Sequence, residues 1–492
     1  MTIYKFIRGS GTATTVRILG RGIGYIAQII FARILFPDGF GLFAIGWTIL
    51  RLFAIAGHLG LDFGIIHFGS QYWEDKQSKF RSIFLLSVGG ALISGILAGA
   101  TTYLFAPFLA TSFFKKPDLV LILQGFAFTF PLATTLRVLA ATSSISGKML
   151  CGGAAEDVTQ PAMQIVLFLI FHSLGFGITA ALLSTLISYA IAVLLASLCV
   201  AKLTPIAIQP VTFSTQDAIP LLRYSIPTIL AVTLGAFNLW GDRLIVGLLG
   251  TPADAGIYQA ISLITMLTTT VLSGIKLVTA PTISKLFHNE ERTQLISLAK
   301  LTTRWILYLG APILLIVALL PGEILILAFG KEYIIGKTPL LWLTFGQLFY
   351  ITFGIADQYF LMTGHQKNWL VISFVTFITT IILDLFFIPR FGLLGAAVVS
   401  CVMMLLIGLL ALFGLKVLLN FWLVDLQHLK PLAASIASGL ITYLIIQQWA
   451  FSPISRILVT LSLSSLLFVC LLLFLGMENE DITIAKQILH RS

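Results

Sequence analysis

Apolar blocks of twenty or more residues follow one another from end to end of the chain, separated by short clusters of charged residues, Pro and Gly. A block of that length crosses a hydrocarbon layer of about 30 Å at a helical rise of about 1.5 Å per residue. Read against their breaks, the blocks predict membrane-spanning helices at roughly 12–35, 41–68, 82–107, 119–142, 157–173, 176–200, 219–249, 255–283, 304–329, 338–363, 368–388, 393–418, 431–449 and 455–476, about fourteen in all. The expected fold class is an all-α polytopic membrane protein.

The pattern repeats. "FPDGFGLFAI" (36–45) aligns with "TPADAGIYQA" (251–260) at an offset of 215, pairing Pro37 with Pro252, Gly41 with Gly256 and Phe43 with Tyr258. The same offset carries "YWEDKQSKF" (72–80) onto "FHNEERTQL" (287–295), and "FGITAALLS" (176–184) onto "FGLLGAAVV" (391–399). Six helices per copy is an even number, so both copies enter the membrane from one side. Two pseudo-symmetric six-helix lobes facing a central cavity are therefore expected, an N-lobe over 1–205 and a C-lobe over 206–420, with two extra helices and a cytoplasmic tail over 421–492.

Composition agrees with this reading: 58% of the 492 residues are hydrophobic, 10% are charged, and mean hydropathy is +1.01. The N-terminal stretch offers no compact apolar core followed by a small-residue cleavage site, so the first helix itself is expected to direct insertion. A net charge of +10 invites a nucleic-acid reading, but the basic residues are scattered among short loops and spans, and no nucleic-acid partner is expected. Seventeen Lys and Arg fall in one set of loops and six in the opposite set, which predicts cytoplasmic termini. Cys151, Cys199, Cys401 and Cys470 stand singly without CxxC or His partners, so no metal or redox cofactor is expected.

The seven remaining basic residues lie inside spans. In the first span Thr14, Arg17, Arg21, Gly24 and Gln28 share one helical stripe, and Arg21 sits roughly 14 Å deep, beyond easy snorkelling, whereas Arg33 can reach head groups. In the second, Trp47, Arg51, His58 and Asp62 share a face. Asn238, Asp242 and Arg243 follow in the seventh span and Asp357 in the tenth. A mid-helix arginine facing lipid costs about 2.5–3.5 kcal/mol, a penalty that a polar cavity removes. Arg17 and Arg21 have no acid in their own helix and are expected to line that cavity with Arg51. Internal pairing is the other reading, Arg51 with Asp62 or His58 and Arg243 with Asp242. Arg137 and Lys276, near the cytoplasmic end, are expected to snorkel. His58 is the group that titrates near neutral pH, which makes His58, Asp62 and Asp357 candidates for ion coupling beside a plain packing role.

Guanidinium forks onto phosphate oxygens and is always charged, so several arginines in a dry-walled cleft suit a pyrophosphate. GxxxxGK[ST], HExxH and GxSxG motifs are absent, and loops seldom exceed about 20 residues, which leaves little room for an extramembrane active site. An enzyme is not expected.

"FARILFPDGFGLFAIG" (31–46), "LGLDFGIIHF" (59–68), "DRLIVGLLGTPADAGIYQAI" (242–261), "FGKEY" (329–333) and "LDLFFIPRFGLLGAAVVS" (383–400) together resemble the polysaccharide and O-antigen flippases of the multidrug/oligosaccharidyl-lipid/polysaccharide exporter superfamily. Asp384 departs from the Asn usual in those relatives. The resemblance implies a fold like that of the multidrug exporters and peptidoglycan-precursor flippases of the superfamily. It also implies translocation of an undecaprenyl-pyrophosphate-linked glycan across a bacterial inner membrane for cell-surface polysaccharide synthesis, with the bilayer and the polysaccharide polymerase machinery as partners. The cavity arginines of the peptidoglycan-precursor flippases carry over onto Arg17, Arg21 and Arg51 only. Arg243, Gln28, Trp47 and Asn238 join the substrate-binding set from their helical placement. Rival readings are a cation or drug exporter of the same superfamily, which would want acids where the first helix supplies arginines, and a membrane glycosyltransferase or polymerase, which would want a larger external loop.

Overall fold

The computed structural model describes residues 3–72, 77–145, 149–203, 215–448, 453–476 and 481. Among them there is no strand. Eleven helices are long and apolar enough to cross a membrane, or twelve if the bent pair Leu119–Ala127 and Phe130–Ile145 counts as one span. Two of the eleven, Leu19–Tyr72 and Gln366–Leu419, have 54 residues each, about 81 Å of helix and far more than one crossing uses. Both are broken: at Phe36 (φ 58°) before Pro37 inside α1 (Ile3–Gly57), and at Gly392 (φ 56°) after Pro389 inside α15 (Gln366–Leu419). Fourteen crossings are reached only if each of these is read as two. Pro37 explains the first, because it removes a helical N–H and clashes with the preceding turn, and the second uses a positive φ that glycine adopts without strain.

The residues form two compact units, 1–259 and 260–492. The first holds α1, α2 (Leu61–Tyr72), α3 (Gln77–Phe108), α4 (Leu119–Ala127), α5 (Phe130–Ile145), α6 (Met149–Ala154), α7 (Gln160–Ser173), α8 (Thr179–Leu203), α9 (Thr215–Leu249) and the start of α10 (Pro252–His288). The second holds the rest of α10, then α11 (Arg292–Leu319), α12 (Pro321–Ala328), α13 (Lys337–Phe353), α14 (Ala356–Met362), α15, α16 (Leu429–Gln447) and α17 (Pro453–Phe474).

The offset of 215 has a backbone counterpart. Gly177 and its equivalent Gly392 both adopt the left-handed region, at φ 55° and 56°. Within the first unit the equivalent prolines and glycines touch reciprocally. A Cβ on Gly41 would collide with the Pro252 carbonyl oxygen, and one on Gly256 would collide with that of Pro37 and lie 2.9 Å from the Gly41 nitrogen. Only glycine lets the two segments approach so closely.

Helix ends are closed locally. Lys116, buried between α3 and α4, donates from Nζ to the carbonyls of Gly247 (2.6 Å) and Gly250 (2.8 Å) at the end of α9, and to that of Phe114 (3.2 Å). Interior hydroxyls such as Thr48, Thr142 and Thr302 donate to carbonyls one turn back, so few polar atoms are left for lipid to meet. Outward-facing side chains are apolar and widely exposed, as at Leu104, Val417 and Phe474, which is the surface a bilayer requires. The protein is a multi-pass membrane protein.

Candidate functional site

The first unit brings together Arg21, Arg51, Arg137 and Arg243 with Asp62, Glu156 and Asp242, from four helices and one wide turn. Asp62, buried at the start of α2, is the hub. Its Oδ2 accepts from Arg137 Nε of α5 at 3.2 Å, while His58 Nδ1 approaches Oδ1 at 3.2 Å, too obliquely for a formed hydrogen bond. Arg137 Nη1 reaches the other way to Glu156, 3.3 Å from Oε1 and 3.4 Å from Oε2. Glu156 sits on a single π-helical turn, Ala155–Thr159, between α6 and α7. Gly20 of α1 allows that turn to lie close, since a Cβ there would collide with the Asp157 carbonyl.

Arg51 stands beside this chain of charges without being absorbed by it. Its Cζ lies 4.7 Å from the centre of the Trp240 ring, a cation–π contact, and the residue as a whole remains exposed. Tyr189, Tyr25, Arg21 and Glu156 are all within electrostatic reach of it. Arg21 is exposed as well. Arg243 is buried, with Asp242, Tyr258, Arg51 and Tyr25 around it. Asp242 is fixed on both oxygens: Oδ1 accepts from the Arg243 backbone N–H at 2.8 Å and Oδ2 from Tyr258 Oη at 2.7 Å. The Arg17 side chain lies outside the described residues.

The remaining expected residues are distributed around this cluster. Trp47 is half-buried and packs with Phe43 (5.9 Å, stacked), Phe126 (6.3 Å) and Tyr189 (6.5 Å). Tyr189 thus joins the aromatic group to Arg51. Gln28 is buried, and its Oε1 has no hydrogen-bond partner among the described residues. Asn238 is half-buried one helical turn before Asp242. Asp357 belongs to the other unit, where its Oδ2 accepts from Lys276 Nζ at 2.7 Å.

One expectation is corrected. Arg137 and Lys276 do not stretch alone toward a head-group layer, because each holds a carboxylate: Arg137 those of Asp62 and Glu156, Lys276 that of Asp357. Of the alternatives for Arg51, pairing with Asp62 is not the one formed, because Asp62 pairs with Arg137 and Arg51 remains an exposed residue.

A family model described as "Polysaccharide biosynthesis protein" matches residues 30–335, more than half of the chain and the whole of the described cluster except its first-helix members Arg21, Tyr25 and Gln28. The chain belongs to this polysaccharide biosynthesis family. Among curated proteins it is 27% identical to the capsular polysaccharide biosynthesis protein CapF of Staphylococcus aureus over 176 residues, 35% of this chain and 44% of that protein. It is 24% identical to the succinoglycan biosynthesis transport protein ExoT of Rhizobium meliloti (strain 1021) over 314 residues, 63% of this chain and 60% of that one. The matches thus span about half the length of these relatives. Among solved structures, a lipid II flippase MurJ in an inward closed conformation superposes with TM-score 0.76 at 15% identity, covering 94% of this chain and 97% of that one. An inward-facing multidrug resistance MATE family transporter superposes with TM-score 0.66 at 15% identity, covering 83% and 98%. At such identities the likeness shows the fold alone, one this chain shares with both proteins.

Glu156, Tyr25, Tyr189 and Trp240 are members of this cluster that the sequence alone did not single out. Glu156 carried a usable signal: it stands in "AAEDVTQP", a pair of acids against the start of an apolar span in a chain with only 20 acidic residues. The aromatic members carried none, because 12% of the chain is aromatic and nothing local marks those facing arginine.

Proposed function

We propose that the protein is a flippase that carries a polyprenyl-pyrophosphate-linked oligosaccharide from the cytoplasmic to the outer leaflet of a bacterial inner membrane by alternating access. The observation that carries the reading is the pair of exposed arginines, Arg21 and Arg51, inside a helical stretch long and apolar enough to cross a membrane, with Trp240, Tyr25 and Tyr189 near Arg51. Exposed charge within such a stretch calls for a water-filled cavity and an anionic ligand. Arginine forks match pyrophosphate oxygens, and aromatic faces suit sugar rings.

The task is physically reasonable. An unpartnered sugar hydroxyl costs about 4–8 kcal/mol to bury in hydrocarbon, so an oligosaccharide faces tens of kcal/mol without a wet path. Arg17, Arg21, Arg51 and Arg243 would hold the pyrophosphate, Gln28, Trp47 and Asn238 would touch sugars, and the isoprenoid tail would stay in lipid. Transport without covalent chemistry accords with ExoT, whose name makes it a transport protein. The proposed setting includes cytoplasmic termini and a polysaccharide polymerase that takes up the product.

A cation or drug exporter is disfavoured by the exposed arginines Arg21 and Arg51, where a cation would want acids. Reconstitution of the protein in liposomes with a polyprenyl-pyrophosphate oligosaccharide, scored by lectin capture of the externalised sugar, tests the reading. Protein-dependent exposure is expected. Expulsion of a cationic dye with no movement of the lipid would overturn it.

A further inference from the structure

Glu156 faces both Arg137, which it pairs with, and Arg51, which it does not. It holds Arg137 at 3.3 Å and lies within electrostatic reach of Arg51 and Tyr189, so α5, α1 and α8 all present a group to it. Its partner Arg137 is already held on the far side by Asp62, at 3.2 Å. The pair is not sealed, because 28% of the Glu156 side chain and 50% of that of Arg137 remain accessible.

The backbone places Glu156 there by a specific device. The π-turn Ala155–Thr159 adds a residue between α6 and α7, which rotates side chains by roughly 100° relative to an uninterrupted helix. A purely structural partner for Arg137 would not need an accessible carboxylate, since Asp62 already supplies a buried one.

We propose that Glu156 is the resident counter-ion of the arginine site: it holds positive charge in place when no ligand is bound, and its carboxylate repels an arriving pyrophosphate enough to keep binding reversible. This inference rests on the flippase reading and deepens it. A doubly charged pyrophosphate diester entering beside Arg51 meets one carboxylate already in the field of the same guanidiniums. Binding is then an exchange of counter-ions rather than the filling of an empty cationic site. A transporter has to let go on the far side, and over-tight binding of its cargo slows turnover. Glu156 therefore sets affinity and release, while Arg21 and Arg51 set recognition.

The test uses the full-length protein in lipid nanodiscs, titrated with farnesyl pyrophosphate, alongside translocation rates in liposomes. Wild type is expected to bind. Glu156→Gln is expected to bind about tenfold more tightly, about 1.4 kcal/mol, and to translocate more slowly. Glu156→Asp keeps the charge and is expected to bind like wild type. Unchanged or weaker binding by Glu156→Gln would overturn the inference and leave the flippase reading intact. If Glu156→Gln does not assemble, Glu156→Asp still decides: tightening there would show that charge is not what matters, and the inference fails. Failure of wild type itself to bind would remove the pyrophosphate site, and both readings with it.

Discussion

Lys116→Met isolates a single electrostatic cap. In the wild type the Lys116 ammonium closes the end of α9 through Gly247 and Gly250, at 2.6 and 2.8 Å, and adds a third bond to Phe114 at 3.2 Å. The last carbonyls of a helix have no partner within it and carry the negative end of its dipole, so a cation there is doubly favourable. Burial works against the ammonium and pushes its pKa below the ordinary lysine value, with Asp254 partly offsetting it. A hydrogen bond to a charged group contributes about 1.5–3 kcal/mol net. Loss of two such bonds, discounted because water reaches the vacated carbonyls, gives about 2–4 kcal/mol. Methionine retains the apolar stem, so packing is largely conserved. The assay is unfolding by SDS titration in mixed micelles, with Lys115→Met, whose side chain is exposed, as the control. A Lys116→Met protein within 0.5 kcal/mol of wild type would show that the cap is energetically idle and that α9 is held by packing alone.

Two further outcomes are expected. Gly41→Val and Gly256→Val each drive a side chain into the carbonyl of the opposing proline segment and should abolish stable assembly, whereas Gly22→Ala, with nothing within 4 Å of the added carbon, should express like wild type; thermal stability of the purified proteins checks this. Asp425, in the loop before α16, is disfavoured by burial, but Lys300 at 3.1 Å and His428 at 2.8 Å outweigh that and hold its pKa below the ordinary carboxylate value. Its contribution is therefore complete above about pH 4 and is lost as pH falls through the lowered folded value, so the stability gap between wild type and Asp425→Asn should be flat from about pH 5 to 7 and shrink in stronger acid.

Much of the fold was legible because membrane helices announce themselves by composition and proline by its missing donor. The first-span boundary expected near residue 35 falls at Phe36, where α1 breaks. The repeat was legible for a similar reason: the close approach of two backbones tolerates only glycine, so Gly41 and Gly256 are visible as a matched pair in the sequence. Charge partners were not legible. Arg304 of α11 donates from Nε to Asp481 at 3.0 Å across 177 residues, and Trp305 and Tyr308 donate to the same carboxylate, a convergence that no local pattern encodes. Arg137 is the same case, since its acids lie on α2 and on the π-turn, 75 and 19 residues away. Sequence spacing could place arginines on one face of a helix. It could not say which of them the fold would neutralise and which it would leave accessible.

The central claim is that Arg51 stays charged and accessible in order to hold a pyrophosphate. The most direct measurement is the initial rate of lectin-detected translocation of a polyprenyl-pyrophosphate oligosaccharide in liposomes, for wild type, Arg51→Gln and Arg51→Lys at equal reconstituted protein. The account predicts that Arg51→Gln loses at least tenfold and that Arg51→Lys, charged but without the planar fork over Trp240, falls between the two. An Arg51→Gln protein that inserts normally and translocates at the wild-type rate would contradict it.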